Sequence, residues 1–144
     1  MDEQLEKCIE FAKKAHKGQK DKGGNDYILH PLRLMEAVET TDEKITAVLH
    51  DILEDTCYTA GDLWRLLNLP DEIIDALKLL TRRRGDNYMD YIKKLSGNPL
   101  AVAVKAADLR DNMNLERLSE VTERDLKRCE KYREALIFLT GGGD

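Results

Sequence analysis

Residues 47–56 read AVLHDILEDT, and the placement of apolar and ionisable side chains within this stretch decides what fold the chain can adopt. On a helix advancing about 100° per residue, His50, Asp51, Glu54 and Asp55 share one arc, while Ile45, Leu49, Ile52 and Leu53 occupy the other. Ala47 is the small residue inside the polar arc and leaves room there. The segment reads as one continuous helix through TTDEKITAVLHDILEDT, residues 40–56, with Thr41 or Asp42 as its cap. It has a core face and a second face that carries an imidazole and three carboxylates.

Working outward, the neighbouring segments have the same periodicity. Leu5, Cys8, Ile9, Ala12 and Ala15 lie at helical spacing over residues 3–17, ahead of a Gly-containing loop at 18–26. Pro31 opens a helix through PLRLMEAVE, and Thr59 with Asp62 has the spacing of a capping box. Leu69-Pro70 opens the next helix, which the pattern closes at Gly85. NYMDYIKKLSG and NPLAVAVKAADLRDNMNLERL follow, and Thr122 caps a last helix to about Leu139. No period-2 run is bounded by turn signals, so no strand is predicted. The expectation is an all-α fold: one domain of about eight helices over residues 1–140, then a disordered Gly-rich tail at 141–144.

Composition narrows the function. The chain has 144 residues, 42% hydrophobic and 35% charged, which suits one globular domain with a substantial core. It holds no apolar run of the roughly 18–20 residues that a membrane span needs. MDEQLEKCIEF lacks the features of a signal peptide, and three widely spaced cysteines (Cys8, Cys57, Cys129) read as reduced packing residues, so a cytoplasmic protein is expected. A net charge of −5 argues against binding a nucleic-acid polymer. Two local cationic stretches, KKAHKGQKDK (13–22) and TRRRG (81–85), suit a small anionic ligand, although cations at helix ends would also explain them.

Three carboxylates beside one histidine repel one another unless a cation is present. Imidazole nitrogen and carboxylate oxygen are ordinary ligands for Mn, Fe, Co or Zn. His50 and Asp51 cannot complete such a site alone. His30, beside Pro31 at a helix start, and Asp108, a lone carboxylate in the apolar stretch VAVKAADL, would complete a two-His, two-Asp set with open positions. A solvated helix face for His50-Asp51, a capping role for His30 and a pair with Lys105 for Asp108 are the competing explanations.

At this point the residues resemble a known family. His30-Pro31, His50-Asp51, Glu54-Asp55 and Asp108 look like the HD superfamily of metal-dependent phosphohydrolases. AHKGQ (15–19), YILHP (27–31), AVLHDILEDT (47–56), LT (80–81) and VKAADLRDNM (104–113) are more narrowly similar to the hydrolase domain of RelA/SpoT proteins, the type seen in small metazoan SpoT homologues. The resemblance implies Mn²⁺-dependent removal of the 3′-pyrophosphate from guanosine tetra- or pentaphosphate. It makes His30, His50, Asp51 and Asp108 the metal ligands and Glu54 and Asp55 the pair that positions or deprotonates water. It also assigns substrate contacts to Lys22, Asn112, Arg128 and Tyr132. Asp21 and Asp26 stand near where the family carries an arginine and a proline, and Leu109 where it often has a basic residue. With no synthetase or regulatory segment in the sequence, a small stand-alone hydrolase is expected. Two other readings stay open: an HD phosphohydrolase acting on a nucleoside monophosphate or NADPH, and a nucleotide-binding module without catalysis.

Overall fold

Apolar side chains at helical spacing, closed off by side-chain caps, generate the secondary structure. In a computed structural model that describes residues 2–141, nine α-helices form: α1 (Glu3–Ala15), α2 (Leu29–Ala37), α3 (Thr41–Leu49), α4 (Ile52–Asp55), α5 (Ala60–Leu67), α6 (Asp71–Leu80), α7 (Tyr88–Leu95), α8 (Pro99–Asn112) and α9 (Glu123–Thr140). A 3₁₀ turn, Leu115–Arg117, joins the last two. Lys20 and Asp26 form an isolated bridge, and no strand occurs among the described residues. The all-α expectation holds. Gly141 caps α9 at φ +72, and residues 142–144 of the expected tail lie outside the described residues.

α2 begins at Leu29, two residues before Pro31, and α8 ends at Asn112 rather than running to Leu118. Two further boundaries differ from the sequence reading for a hydrogen-bonding reason. The cap of α3 is Thr40, one residue before those expected. Thr40 Oγ accepts the Glu43 N–H at 3.1 Å, and the Glu43 carboxylate accepts the Thr40 N–H at 3.0 Å. That reciprocal pair needs an acid three residues on, and neither Thr41 nor Asp42 has one. α6 stops at Leu80 rather than Gly85 because the Arg82 N–H donates to the Glu54 carboxylate at 2.9 Å.

The largest difference lies in the opening stretch. Residues 40–56 are two helices, not one, and the break falls at His50-Asp51. His50 Nδ1 lies 2.7 Å from the Ala47 carbonyl, which its own backbone N–H also approaches at 3.4 Å. In an unbroken helix that carbonyl would accept from Asp51. A side chain that captures a backbone acceptor competes with the helix ladder, and Asp51 takes φ −102, ψ 1. A new turn then starts, with the Asp55 N–H donating to the Asp51 carbonyl at 2.9 Å.

α3 packs against α1, α2, α6 and α8, and α8 against α2, α3, α6 and α9. These two helices are the axis of the molecule. Ile45, Val48, Leu49 and Ile52 join Leu5, Cys8, Leu63, Ile73 and Leu77 in one apolar cluster. Ala47 faces a second, with Leu34, Leu80, Ile92, Val104, Leu109 and Ala135. α8 is buried on several sides, so its apolar residues form no single stripe. No helix among the described residues is long and apolar enough to cross a membrane.

Cys8 is fully buried, Cys57 is exposed, and neither is in a disulfide. Burial pushes the Cys8 thiol up to about 11, against a smaller opposite effect of Lys7. Iodoacetamide at pH 8 is therefore expected to label Cys57 in the native protein and to spare Cys8 until denaturant is added. Equal labelling of both, read by peptide mass spectrometry, would contradict this packing.

Candidate functional site

The break at His50 aims its imidazole inward, toward α2 and α8. His50 Nδ1 donates to the Ala47 carbonyl, so Nε2 is the nitrogen with the free lone pair. It is fully buried, 2.9 Å from Asp51 Oδ2 and 3.5 Å from Asp108 Oδ1, yet makes no hydrogen bond to either. His30, in the first turn of α2, presents Nε2 to the same Asp108 oxygen at 2.8 Å. The two imidazoles lie edge to face with centroids 5.3 Å apart.

Donor atoms of His30, His50 and Asp51 all lie within 4.8 Å of one another. Asp108 Oδ1 closes the set from the fourth side. Buried polar atoms in native proteins nearly always have partners. A buried, unbonded imidazole nitrogen facing two carboxylates is the arrangement a divalent cation completes, and its chemistry suits a mixed nitrogen and oxygen ligand set. The four residues expected to act together are brought together, although the helical wheel that grouped His50 with Asp51 does not survive the helix break.

Surrounding groups hold these donors in place. Asp108 is divided: Oδ2 accepts the Lys105 ammonium at 2.9 Å, while Oδ1 faces the histidines and takes Asn112 Nδ2 at 3.1 Å. The Lys105 pair, weighed in the sequence as a rival explanation, coexists with the cluster. Burial would raise the Asp108 pKa, but Lys105 and the two histidines outweigh it and hold the carboxyl well below its usual range. Burial likewise lowers the basicity of both histidines, and the carboxylates facing them reverse the sign. The Tyr27 hydroxyl donates to Asp51 Oδ2.

Asp111, one turn beyond Asp108, has no counterpart in the sequence reading. His30 Nδ1 lies 2.6 Å from Asp111 Oδ2, and Arg33 grips the same carboxylate with Nε and Nη2 at 2.9 and 3.0 Å. Arg117 adds a bond to the Asp111 carbonyl at 2.8 Å. A carboxylate on Nδ1 fixes the tautomer that leaves Nε2 to a ligand. The i, i+3 spacing of Asp108 and Asp111 was the available signal, but nothing in the sequence shows that α2 lies across that face.

Above the cluster is a cavity of about 240 Å³, walled by Glu54, Asp55, Arg82, Tyr88, Lys105, Asn112 and Tyr132. A second space of about 130 Å³ adjoins it, sharing Tyr27, His30, Asn112 and Tyr132 and bounded by Lys22, Arg117 and Arg128. Burial, together with the charges of Asp51 and Asp55, raises the Glu54 pKa, against the Arg82 N–H bond. Asp55 is raised by burial and by Asp51, against the histidines. Of the two cationic stretches, Lys22 and Arg82 reach the cavities; Lys20 is paired with Asp26 at 2.5 Å.

The two departures near the N-terminus have structural jobs. Asp21 Oδ1 accepts the Asn25 N–H at 2.9 Å and shapes the loop. That loop passes so near the 3₁₀ turn that a Cβ on Gly23 would lie 2.8 Å from the Arg117 carbonyl.

No protein-family model matches the chain. It is 31% identical over 121 residues to the guanosine-3′,5′-bis(diphosphate) 3′-pyrophosphohydrolase of Aquifex aeolicus, covering 77% of this chain and 17% of that protein. To the protein of the same name in Haemophilus influenzae it is 30% identical over 116 residues, covering 72% and 17%. To a GTP pyrophosphokinase of Streptomyces coelicolor it is 29% identical over 143 residues, covering 92% and 16%. The chain thus spans 16–17% of the length of these curated relatives. In fold it matches a solved structure described as a metazoan orthologue of SpoT that hydrolyses ppGpp, with a TM-score of 0.80 and 18% identity, covering 96% of this chain and 86% of that one.

If the cluster holds a divalent cation, replacing Asp111 by alanine is expected to weaken its binding about 10–100-fold, measured by calorimetry on protein whose circular dichroism is unchanged. Wild-type affinity in the variant would show that His30 does not depend on it. The chain is SpoT-like in its sequence and in its HD-type all-α fold.

Proposed function

We propose that this chain is a metal-dependent phosphohydrolase that removes the 3′-pyrophosphate from guanosine tetraphosphate and pentaphosphate, with His30, His50, Asp51 and Asp108 as ligands of Mn²⁺. The observation that carries the reading is the buried, unbonded His50 Nε2, facing Asp51 and Asp108 at the floor of a cleft walled by Glu54 and Asp55. The names of the relatives in Aquifex and Haemophilus support the choice of substrate.

A divalent cation held by these four residues would polarise a phosphoryl oxygen and acidify water. The chain's own side chains do the rest. Glu54, fixed by the Arg82 N–H and with Asp55 beside it, takes the proton from the attacking water. The water oxygen bonds to the phosphorus on the ribose 3′-oxygen, the P–O3′ bond breaks, and its electron pair leaves with O3′. O3′ then takes up a proton, giving pyrophosphate and GDP from the tetraphosphate. Asn112, which touches both cavities, positions the ribose side of this bond. Lys22, Arg128 and Tyr132 bound the adjoining space and suit the nucleoside and its 5′-phosphates.

A second substrate reading has its own support. Asp21, near where the family carries an arginine, is an acid that shapes its own loop and so gives no cation to stack on guanine. A nucleoside monophosphate or NADPH would use the same floor.

Metal-stripped protein incubated with guanosine tetraphosphate is expected to release pyrophosphate and GDP only when Mn²⁺ is restored. A Glu54→Ala variant should bind Mn²⁺ normally and lose about 10²–10⁴-fold in turnover. Absence of pyrophosphate from protein that demonstrably binds Mn²⁺ would overturn the guanosine polyphosphate assignment, and full activity in the variant would remove the role given to Glu54.

A further inference from the structure

Glu54 and the ligand cluster do not account for one end of the main cavity. There, Arg82 Cζ lies 5.1 Å and Lys105 Nζ 6.0 Å from the centroid of the Tyr88 ring, and Lys131 Nζ, which is not itself part of the cavity wall, approaches the same ring at 4.5 Å. Lys131 also lies 5.7 Å from the Tyr132 ring. Lys105 has Asp108 as its counter-ion, but neither Arg82 nor Lys131 is in an ion pair among the described residues. The Tyr88 hydroxyl is buried and has no hydrogen-bond partner.

Cation–π attraction is worth about 0.5–2 kcal/mol per contact, and like charges brought together on one ring oppose it. Lys131 registers that opposition: partial burial lowers its pKa, and the charges of Arg82, Arg128 and Lys105 lower it further. The Arg82 guanidinium donates from Nη2 to the Asp86 carbonyl at 2.9 Å and has no counter-ion among the described residues. Cations so gathered suit an anion, and guanidinium, ammonium and hydroxyl together match the several oxygens of a phosphoryl group.

We propose that Arg82, Lys131 and the Tyr88 hydroxyl form a subsite for the distal phosphate of a pyrophosphoryl group, with Lys105 at its inner edge. The inference rests on the phosphohydrolase reading above and adds direction to it. The nucleoside lies toward Lys22 and Arg128, the scissile phosphorus over the ligand cluster, and the terminal phosphate toward Tyr88. This gives Arg82 a role distinct from those of Arg83 and Arg84, which do not line the main cavity.

The test is calorimetric titration of metal-stripped protein with inorganic pyrophosphate, in the wild type and in Arg82→Gln/Lys131→Gln, Tyr88→Phe and Arg83→Gln variants checked by circular dichroism. The double variant is expected to lose about tenfold or more in affinity and Tyr88→Phe a few-fold, with Arg83→Gln within about twofold of wild type. Pyrophosphate bound equally by wild type and double variant would overturn the subsite. So would no binding by the wild type, or an equal loss in Arg83→Gln, which would reduce the effect to a general field. Because neither metal nor turnover enters the measurement, a protein that binds pyrophosphate here but hydrolyses no guanosine polyphosphate keeps the subsite and loses the activity. One that hydrolyses it without these losses does the reverse.

Discussion

One backbone oxygen governs the centre of this protein. The carbonyl of Ala47 can continue a helix or accept the imidazole of His50, and it accepts the imidazole. That choice ends α3, fixes the tautomer of His50 and turns its second nitrogen toward α2 and α8. It also releases Asp51 from helical geometry, so that its carboxylate meets Tyr27 and His50 in place of solvent. The break stays where it is because residues on both sides are locked: Val48 and Leu49 before it and Ile52 after it are fully buried. Packing density leaves such a segment little freedom to slide.

The second constraint is the charge carried into that interior. Asp108 is almost completely buried, and an ionised carboxylate in such a place is tolerated only with partners on every side. It has an ammonium on one oxygen, the His30 imidazole and an amide on the other, and the unbonded His50 Nε2 3.5 Å away. The outer ring of Arg33, Asp111 and Arg117 does the same for His30 from behind. Polar groups on α2, α3 and α8 thus weld together surfaces that apolar packing alone would only bring near.

Much of this was legible in the chain. Helical periodicity with Ser/Thr-type caps gave the architecture, and His30, His50, Asp51 and Asp108 were singled out because ionisable side chains in apolar surroundings need a reason. Their convergence was an expectation; the fold brings them within reach of one another. The break at His50 was not legible, since a wheel assumes unbroken backbone and cannot foresee a side chain taking a carbonyl. Asp111 and Tyr27 were missed for another reason. Each matters only through a residue far away in sequence, 81 positions off in the case of Asp111 and His30, and no local pattern encodes which helix will lie opposite.

That separation has a further consequence. His30 and Asp108 are 78 residues apart, and the histidines reach their carboxylate only when α8 docks on α2 and α3. Closing so long a loop costs entropy that only the late, non-local contacts repay. The α2–α3 contacts, joining neighbours in sequence, need no such closure. The donors of the cluster therefore stay apart until the chain beyond Asp108 is made and α8 has docked. The cluster and the cleft above it are thus late products of folding, absent from a half-made molecule.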